Sequence, residues 1–168
     1  MQTIAVVDLS GNRLEHAERG GATVTFENSV DDCLDGLLAL DDGNGPSVVV
    51  DATGNPAVFQ PALAAAAKYA RVILLGDTGY PSRQHLSSEV MTKGLTIQGV
   101  HDSHDRDGWT QRRVDGLFFD LVKRDKFNLS GLITHEFSPQ DCSEAYALAN
   151  ERRHDTMGIL YDWTESDW

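Results

Sequence analysis

Asp8 closes a short apolar run, Thr3-Ile4-Ala5-Val6-Val7-Asp8, and Leu9-Ser10-Gly11-Asn12-Arg13 follows it. A carboxylate at the carboxyl end of a parallel strand can accept hydrogen bonds from both hydroxyls of an adenosine ribose. The same charge repels the extra phosphate of NADP, so the preference is for NAD. Arg13, one turn into the next helix, can lay its cation against the adenine side, with Ser10 between them. These residues also have a plainer use, because Asp and Ser cap helices well. In a dinucleotide fold such an acid lies about 20 residues beyond a Gly-rich phosphate loop. Too few residues precede Asp8 for that loop to be present in this sequence.

Two further segments carry small residues where a ligand could approach the backbone. Val48-Val49-Val50-Asp51-Ala52-Thr53-Gly54 ends one apolar run, and Leu74-Leu75-Gly76-Asp77-Thr78-Gly79 ends the next. Small residues at the carboxyl ends of adjacent parallel strands let a ligand settle at the switch point of the sheet. Each alone could be a simple turn. His101-Asp102-Ser103-His104-Asp105 could in principle offer metal ligands, but no third ligand group has a fixed position, so the segment is read as a solvated loop. His135 reads as a structural histidine. No Ser-His-Asp order or Cys-His pair has supporting local context, so no catalytic residue and no metal ligand is assigned.

The elements that must position these residues alternate between strand and helix. Apolar runs predict strands over 3–8, 22–26, 47–51, 71–75 and 95–100, with helices over 12–19, 30–40, 57–69 and 86–93 between them. Gly20-Gly21 stops the first helix, and the turn cluster at 41–46 ends the second. The triple valine at 48–50 does not alternate, which predicts a strand covered on both faces. Repeats of this length predict an α/β fold, a doubly wound parallel sheet with right-handed crossovers. Beyond residue 100 the pattern predicts a polar loop, a helix over 109–124, an extended segment over 132–137, a helix over 139–152 and a closing strand over 157–162.

The 168 residues suffice for one domain with a real core. The formal charge of −12 disfavours nucleic acid and anionic membrane surfaces as partners. It suits a salt-rich habitat and an ordinary acidic enzyme equally. No apolar run reaches the roughly 20 residues of a membrane helix. Cys33 and Cys142 stand alone, without metal spacing or a disulfide framework, which fits a reducing cytoplasm best.

Taken in order, the motifs resemble the medium-chain dehydrogenase/reductase family, the zinc-type alcohol, polyol and threonine dehydrogenases. The matching pieces are Val7-Asp8 with Arg13-Leu14, Gly20-Gly21-Ala22, Val50-Asp51-Ala52-Thr53-Gly54 and Arg71-Val72-Ile73-Leu74-Leu75-Gly76. Lys93-Gly94-Leu95-Thr96-Ile97-Gln98-Gly99, Leu132-Ile133-Thr134-His135-Glu136-Phe137-Ser138 and Glu144-Ala145-Tyr146 complete the set. The resemblance implies a Rossmann-like sheet lacking its first strand and Gly-rich loop over residues 1–130. It implies that 131–168 is a segment that packs partly on a catalytic domain missing from this sequence.

It further implies that Asp8, Ser10 and Arg13 hold the adenosine ribose of NAD. Ala52, Thr53 and Gly54 would lie under that ribose and the pyrophosphate, with Leu75, Gly76 and Asp77 at the nicotinamide end. Zinc would enter only through the missing domain, and the substrate of the intact enzyme would be an alcohol or polyol. The strand over 95–100, Leu95 to Val100, would be the edge that joins two copies. Met1 is then expected to be an internal residue taken as a start, or the chain a gene fragment, inactive alone. A non-catalytic nucleotide-sensing or partner-binding module is the alternative. The missing strand is central in the order 3-2-1-4-5-6, so the strands over 3–8 and 47–51 must either close the gap or stay unpaired. The segment from about residue 131 should expose apolar surface.

Overall fold

The computed structural model describes residues 3–76, 79–101, 104–105 and 107–164. β1 (Ala5–Asp8), α1 (Gly11–Arg19) and β2 (Val24–Glu27) form the first unit. β1 and β2 pair in parallel, with Ala5 opposite Val24 and Asp8 opposite Glu27. Next come α2 (Leu34–Leu38), the single turn α3 (Leu40–Gly43), β3 (Val48–Asp51), α4 (Pro56–Ala65) and β4 (Arg71–Leu74). α5 (Glu89–Thr92) and β5 (Thr96–Gly99) follow, and β3-β4-β5 form one parallel sheet. The chain ends with α6 (Gln111–Lys123), β6 (Ile133–Phe137), α7 (Cys142–Glu151) and β7 (Gly158–Tyr161). β6 and β7 pair in parallel as a separate sheet.

All pairings among the described residues are parallel and separated by crossovers, so the α/β doubly wound reading holds. The sheet is nevertheless divided. β1-β2 and β3-β4-β5 share no ladder, so the strands flanking the gap have not closed it. α4 lies across the division. Its Phe59 and Leu63, with Ala66 just past its end, pack with Ala70, Val72 and Val49 on the β3 side. Its Ala65 joins Cys33 and Leu37 against Ala5 and Val7 of β1.

Several boundaries differ from the sequence reading. The helix expected over 30–40 is shortened to α2, and the single turn α3 that follows Ala39 is distorted at Asp41 and Asp42, which take positive φ, 54° and 57°. The helix expected over 57–69 stops at Ala65, where Ala66 turns extended. Lys93 Nζ donates to the carbonyls of Ala64 at 2.6 Å and Ala66 at 2.8 Å, filling acceptors that the helix end leaves open. The triple valine is also corrected: Val49 packs on α4, but Val48 and Val50 are 52% and 53% exposed. Only one face of β3 is covered, because nothing in the described chain overlies the other.

The expectation of exposed apolar surface in the last segment holds. Leu132, Ile133, Tyr146, Leu160 and Trp163 all face solvent. α6 is amphipathic yet carries Val114, Leu117 and Phe119 on the surface. No helix among the described residues is long and apolar enough to cross a membrane.

Candidate functional site

Asp8 is the last residue of β1, where the chain leaves the sheet and turns into α1. Its Oδ1 accepts the backbone N–H of Ser10 at 2.9 Å, which fixes the carboxylate over the turn. Its Oδ2 lies 3.8 Å from Nη1 of Arg13, and the two side chains are 31% and 32% exposed. One oxygen is thus held by the protein, while the other faces a cation at the rim and remains reachable from solvent. The three residues grouped from sequence therefore meet in space.

Two of them also have a second duty that the sequence did not announce. Ser10 is buried, and its hydroxyl donates to the carbonyl of His154 at 2.9 Å. Arg13 Nη2 donates to the carbonyl of Arg153 and, at 3.4 Å, to that of Thr156. The turn at 153–156 is thereby docked on α1. A cleft of about 450 Å³ opens beside it, lined by Arg13, Ala149, Arg153, Thr156, Met157 and Ile159. Arg152 braces the same turn, donating from Nε at 2.9 Å and from Nη2 at 2.7 Å to Oδ2 of Asp155. That hydrogen bonding, and next to it the charges of His154 and Arg152, holds the Asp155 carboxyl below its ordinary value.

The second group sits at the ends of β3 and β4. Asp51 is buried, and its Oδ1 accepts the N–H of Thr53 at 2.9 Å and the Thr53 hydroxyl at 2.7 Å. Thr53 Oγ1 in turn accepts the N–H of Asn55, whose own Oδ1 caps α4 at the N–H of Ala57. This chain of short bonds forms the Ala52-Thr53-Gly54 turn, and Gly54 takes φ +63° within it. The N–H groups of Leu75 and Gly76 both donate to the Asp51 carbonyl, at 2.9 and 3.0 Å. A Cβ at Gly76 would lie 2.4 Å from the nitrogen of Gly54 and 2.8 Å from the carbonyl oxygen of Ala52. The two turns touch through backbone, which only glycine at position 76 permits.

Ala52, Thr53, Gly54, Leu75 and Gly76 therefore share one place, and Asp8, Ser10 and Arg13 share another across the division in the sheet. Asp77 lies outside the described residues, as do Asp102 and Ser103 of the histidine loop. His135 donates or accepts at Nδ1 with the Thr134 hydroxyl at 2.9 Å and stacks on Phe137, a structural arrangement. Among the described residues, no three His, Cys, Asp or Glu side chains stand close enough to hold a metal ion. The sequence reading missed the organising role of Asp51 and the reach of Lys93. A buried Asp two residues before Thr is a local signal that could have flagged the first; nothing local flags the second.

The pattern that describes zinc-binding dehydrogenases matches residues 1–112. L-Threonine 3-dehydrogenase of Bacillus subtilis is 29% identical over 145 residues, which is 86% of this chain and 40% of that protein. The zinc-dependent alcohol dehydrogenase 2 of Streptococcus pneumonia shares the fold, with a TM-score of 0.79 at 23% identity over 98% of this chain and 46% of that one. A short chain alcohol dehydrogenase, rspB, from Escherichia coli CFT073, solved with NADH, gives 0.76 at 23% identity over 96% of this chain and 45% of its own. The chain thus spans less than half the length of these relatives.

Proposed function

This chain belongs to the zinc-binding dehydrogenase family, and from that premise we propose that it is the cofactor-binding part of an NAD-dependent alcohol or polyol oxidoreductase. The observation that carries the reading is the state of Asp8. One of its oxygens accepts the N–H of Ser10, and the other lies beside Arg13 on a side chain 31% exposed at the end of a parallel strand. Such a carboxylate presents acceptors to a ribose diol and repels a 2′-phosphate, so it selects NAD over NADP. Across the division in the sheet, the turns of Ala52-Thr53-Gly54 and Leu75-Gly76 touch through backbone at Gly76. In this reading they underlie the pyrophosphate and the nicotinamide end, with Asp77 beside them. When bound, NAD accepts the hydride of an alcohol carbon. The residues of this chain bind and orient it, and none of them is assigned the proton transfer.

Zinc is not placed on this chain, because its described residues offer no ligand set. Residues 1–130 act as the nucleotide-binding unit, and 131–168 as the segment that leans on other polypeptide. The separate β6-β7 sheet and its exposed apolar side chains support that division. Alone, the chain turns over no alcohol. Its two free thiols suit a cytoplasmic setting. The outer edge of β5 pairs with a second copy; a clean monomer in light scattering would count against that pairing.

Amide spectra of the chain titrated with NAD test the cofactor reading. Shifts at Ser10, Thr53, Gly54 and Gly76 are expected only at millimolar ligand, weaker still with NADP, and lost at Ser10 in Asp8→Ala. Shifts elsewhere would overturn the site, and sub-millimolar binding would overturn the claim that the site is incomplete.

A further inference from the structure

Asp8 can serve a ribose only while its outer oxygen stays open, and the cation beside it is the competitor. An arginine that is free to move closes on a carboxylate through two parallel N–H···O bonds. Arg13 does not do so. Its Nη1 stops 3.8 Å from Oδ2 of Asp8, near enough for attraction between charges and too far for a hydrogen bond. Its Nη2 is committed elsewhere, to the carbonyls of Arg153 and, at 3.4 Å, Thr156.

Those carbonyls belong to a turn that is itself held from two sides. The Ser10 hydroxyl, on a residue 7% exposed, donates to the carbonyl of His154 at 2.9 Å. Arg152 donates twice to Oδ2 of Asp155, and Nε2 of His154 lies 3.4 Å from Oδ1 of the same carboxylate. Within the turn the N–H of Asp155 donates to the carbonyl of Arg152 at 2.9 Å, and Thr156 is buried. Ser10 therefore works in two directions. Its N–H fixes Oδ1 of Asp8, and its hydroxyl fixes the turn that fixes Arg13. A serine hydroxyl carries one proton, and this one is spent on His154, so it has none to donate to a ligand.

We propose that the turn at 153–156 is a positioning element of the cofactor site. Through its carbonyls it holds the Arg13 guanidinium back from Asp8 and keeps the outer carboxylate oxygen open to the ribose diol. Ser10 through its hydroxyl, and Asp155 through its carboxylate, are positioning residues that act on the ligand by way of Arg13. The nucleotide site thus draws on two stretches 140 to 144 positions apart. The proposal rests on the reading of Asp8 as the ribose carboxylate; the docking of the turn on Arg13 does not.

The test is a double-mutant cycle on the full chain, with NAD affinity read from amide-shift titrations. Ser10→Ala keeps the N–H that holds Asp8 and should weaken NAD about fivefold. Asp155→Ala, at an exposed ion pair that folding does not need, should weaken it about twofold. In an Arg13→Ala background neither change should weaken NAD further, whatever Arg13→Ala itself costs. A merely structural role would give the same loss in both backgrounds. Without nucleotide, the Asp155 amide should exchange about fivefold faster in Ser10→Ala and in Arg13→Ala, while the α4 amides keep their rates. Equal losses in the two backgrounds, unaltered NAD affinity in both Ser10→Ala and Asp155→Ala, or an Asp155 amide indifferent to Ser10→Ala and Arg13→Ala would overturn the proposal and leave the cofactor reading standing. NAD shifts in the native chain that avoid Ser10, Thr53, Gly54 and Gly76 would take down both.

Discussion

The β3-β4-β5 sheet with α4 and the β6-β7 sheet with α7 are built from similar parts, yet they end in opposite states. In the first, Leu63 and Val72 are fully buried, and α4 is closed at both ends by Asn55 and Lys93. In the second, Ile133 and Leu160 are 55% and 47% exposed, and Ala145 is the buried residue of α7. Both have parallel strands and a crossover helix, so strand propensity and pairing do not separate them. The difference is the number of covered faces. A strand becomes a core strand only when neighbouring elements lie over it, and α4 supplies for Val49 and Val72 what no described element supplies for Ile133.

The largest effect that would break this contrast is at the centre of the first unit. Leu63→Ala should cost about 2–5 kcal/mol in chemical denaturation. Leu160→Ala in β7 should cost under about 0.5 kcal/mol. Equal costs would mean that the second unit has a core after all. Two glycines sharpen the point with one substitution of opposite sign. Gly76→Ala forces a Cβ into Gly54 and Ala52 and should destabilise by about 1–3 kcal/mol. Gly116→Ala on α6, where a Cβ meets nothing within 4 Å, should stabilise by about 0.5–1 kcal/mol.

The two thiols divide the same way. Cys33 is buried, and burial, with Asp32 adding to it, raises its thiol pKa. Cys142 on α7 is exposed. Iodoacetamide at neutral pH should label Cys142 in the native chain and Cys33 only on unfolding, read by peptide mapping. The smallest effect concerns the turn at 153–156. The Asp155 carboxyl titrates below its ordinary value, so its stabilising contribution is present above that value and is lost as pH falls through the lower, folded one. Amide exchange at His154 and Asp155 should rise below about pH 4 while the α4 amides stay protected; parallel loss in both would contradict it.

The fold class was legible because apolar runs, turn residues and Gly stops repeat at strand–helix length, and each is a local signal. The grouping of Asp8 with Ser10 and Arg13 was legible for the same reason, since all three lie within one turn of each other. The hydroxyl of Ser10 was not, because its acceptor is 144 residues away at His154. The triple valine was misread for a related cause. Hydrophobicity records which faces a residue can bury, but not whether a neighbour is there to bury them. Val48 and Val50 carry the character of a strand covered on two sides and are covered on one. The helix over 57–69 was overextended because alanines give no stop, and its end is set by Lys93 from another part of the chain.

That ammonium has a consequence for the order of events when the chain loses structure. The final carbonyls of α4 are satisfied by a side chain standing just ahead of β5, so neither piece is finished until the other has arrived. Helix and strand should then open as one cooperative unit, with matching exchange rates under mild denaturant. Neutralising Lys93 by acetylation would uncouple them, letting the last turn of the helix fray while the strand stays in its ladder.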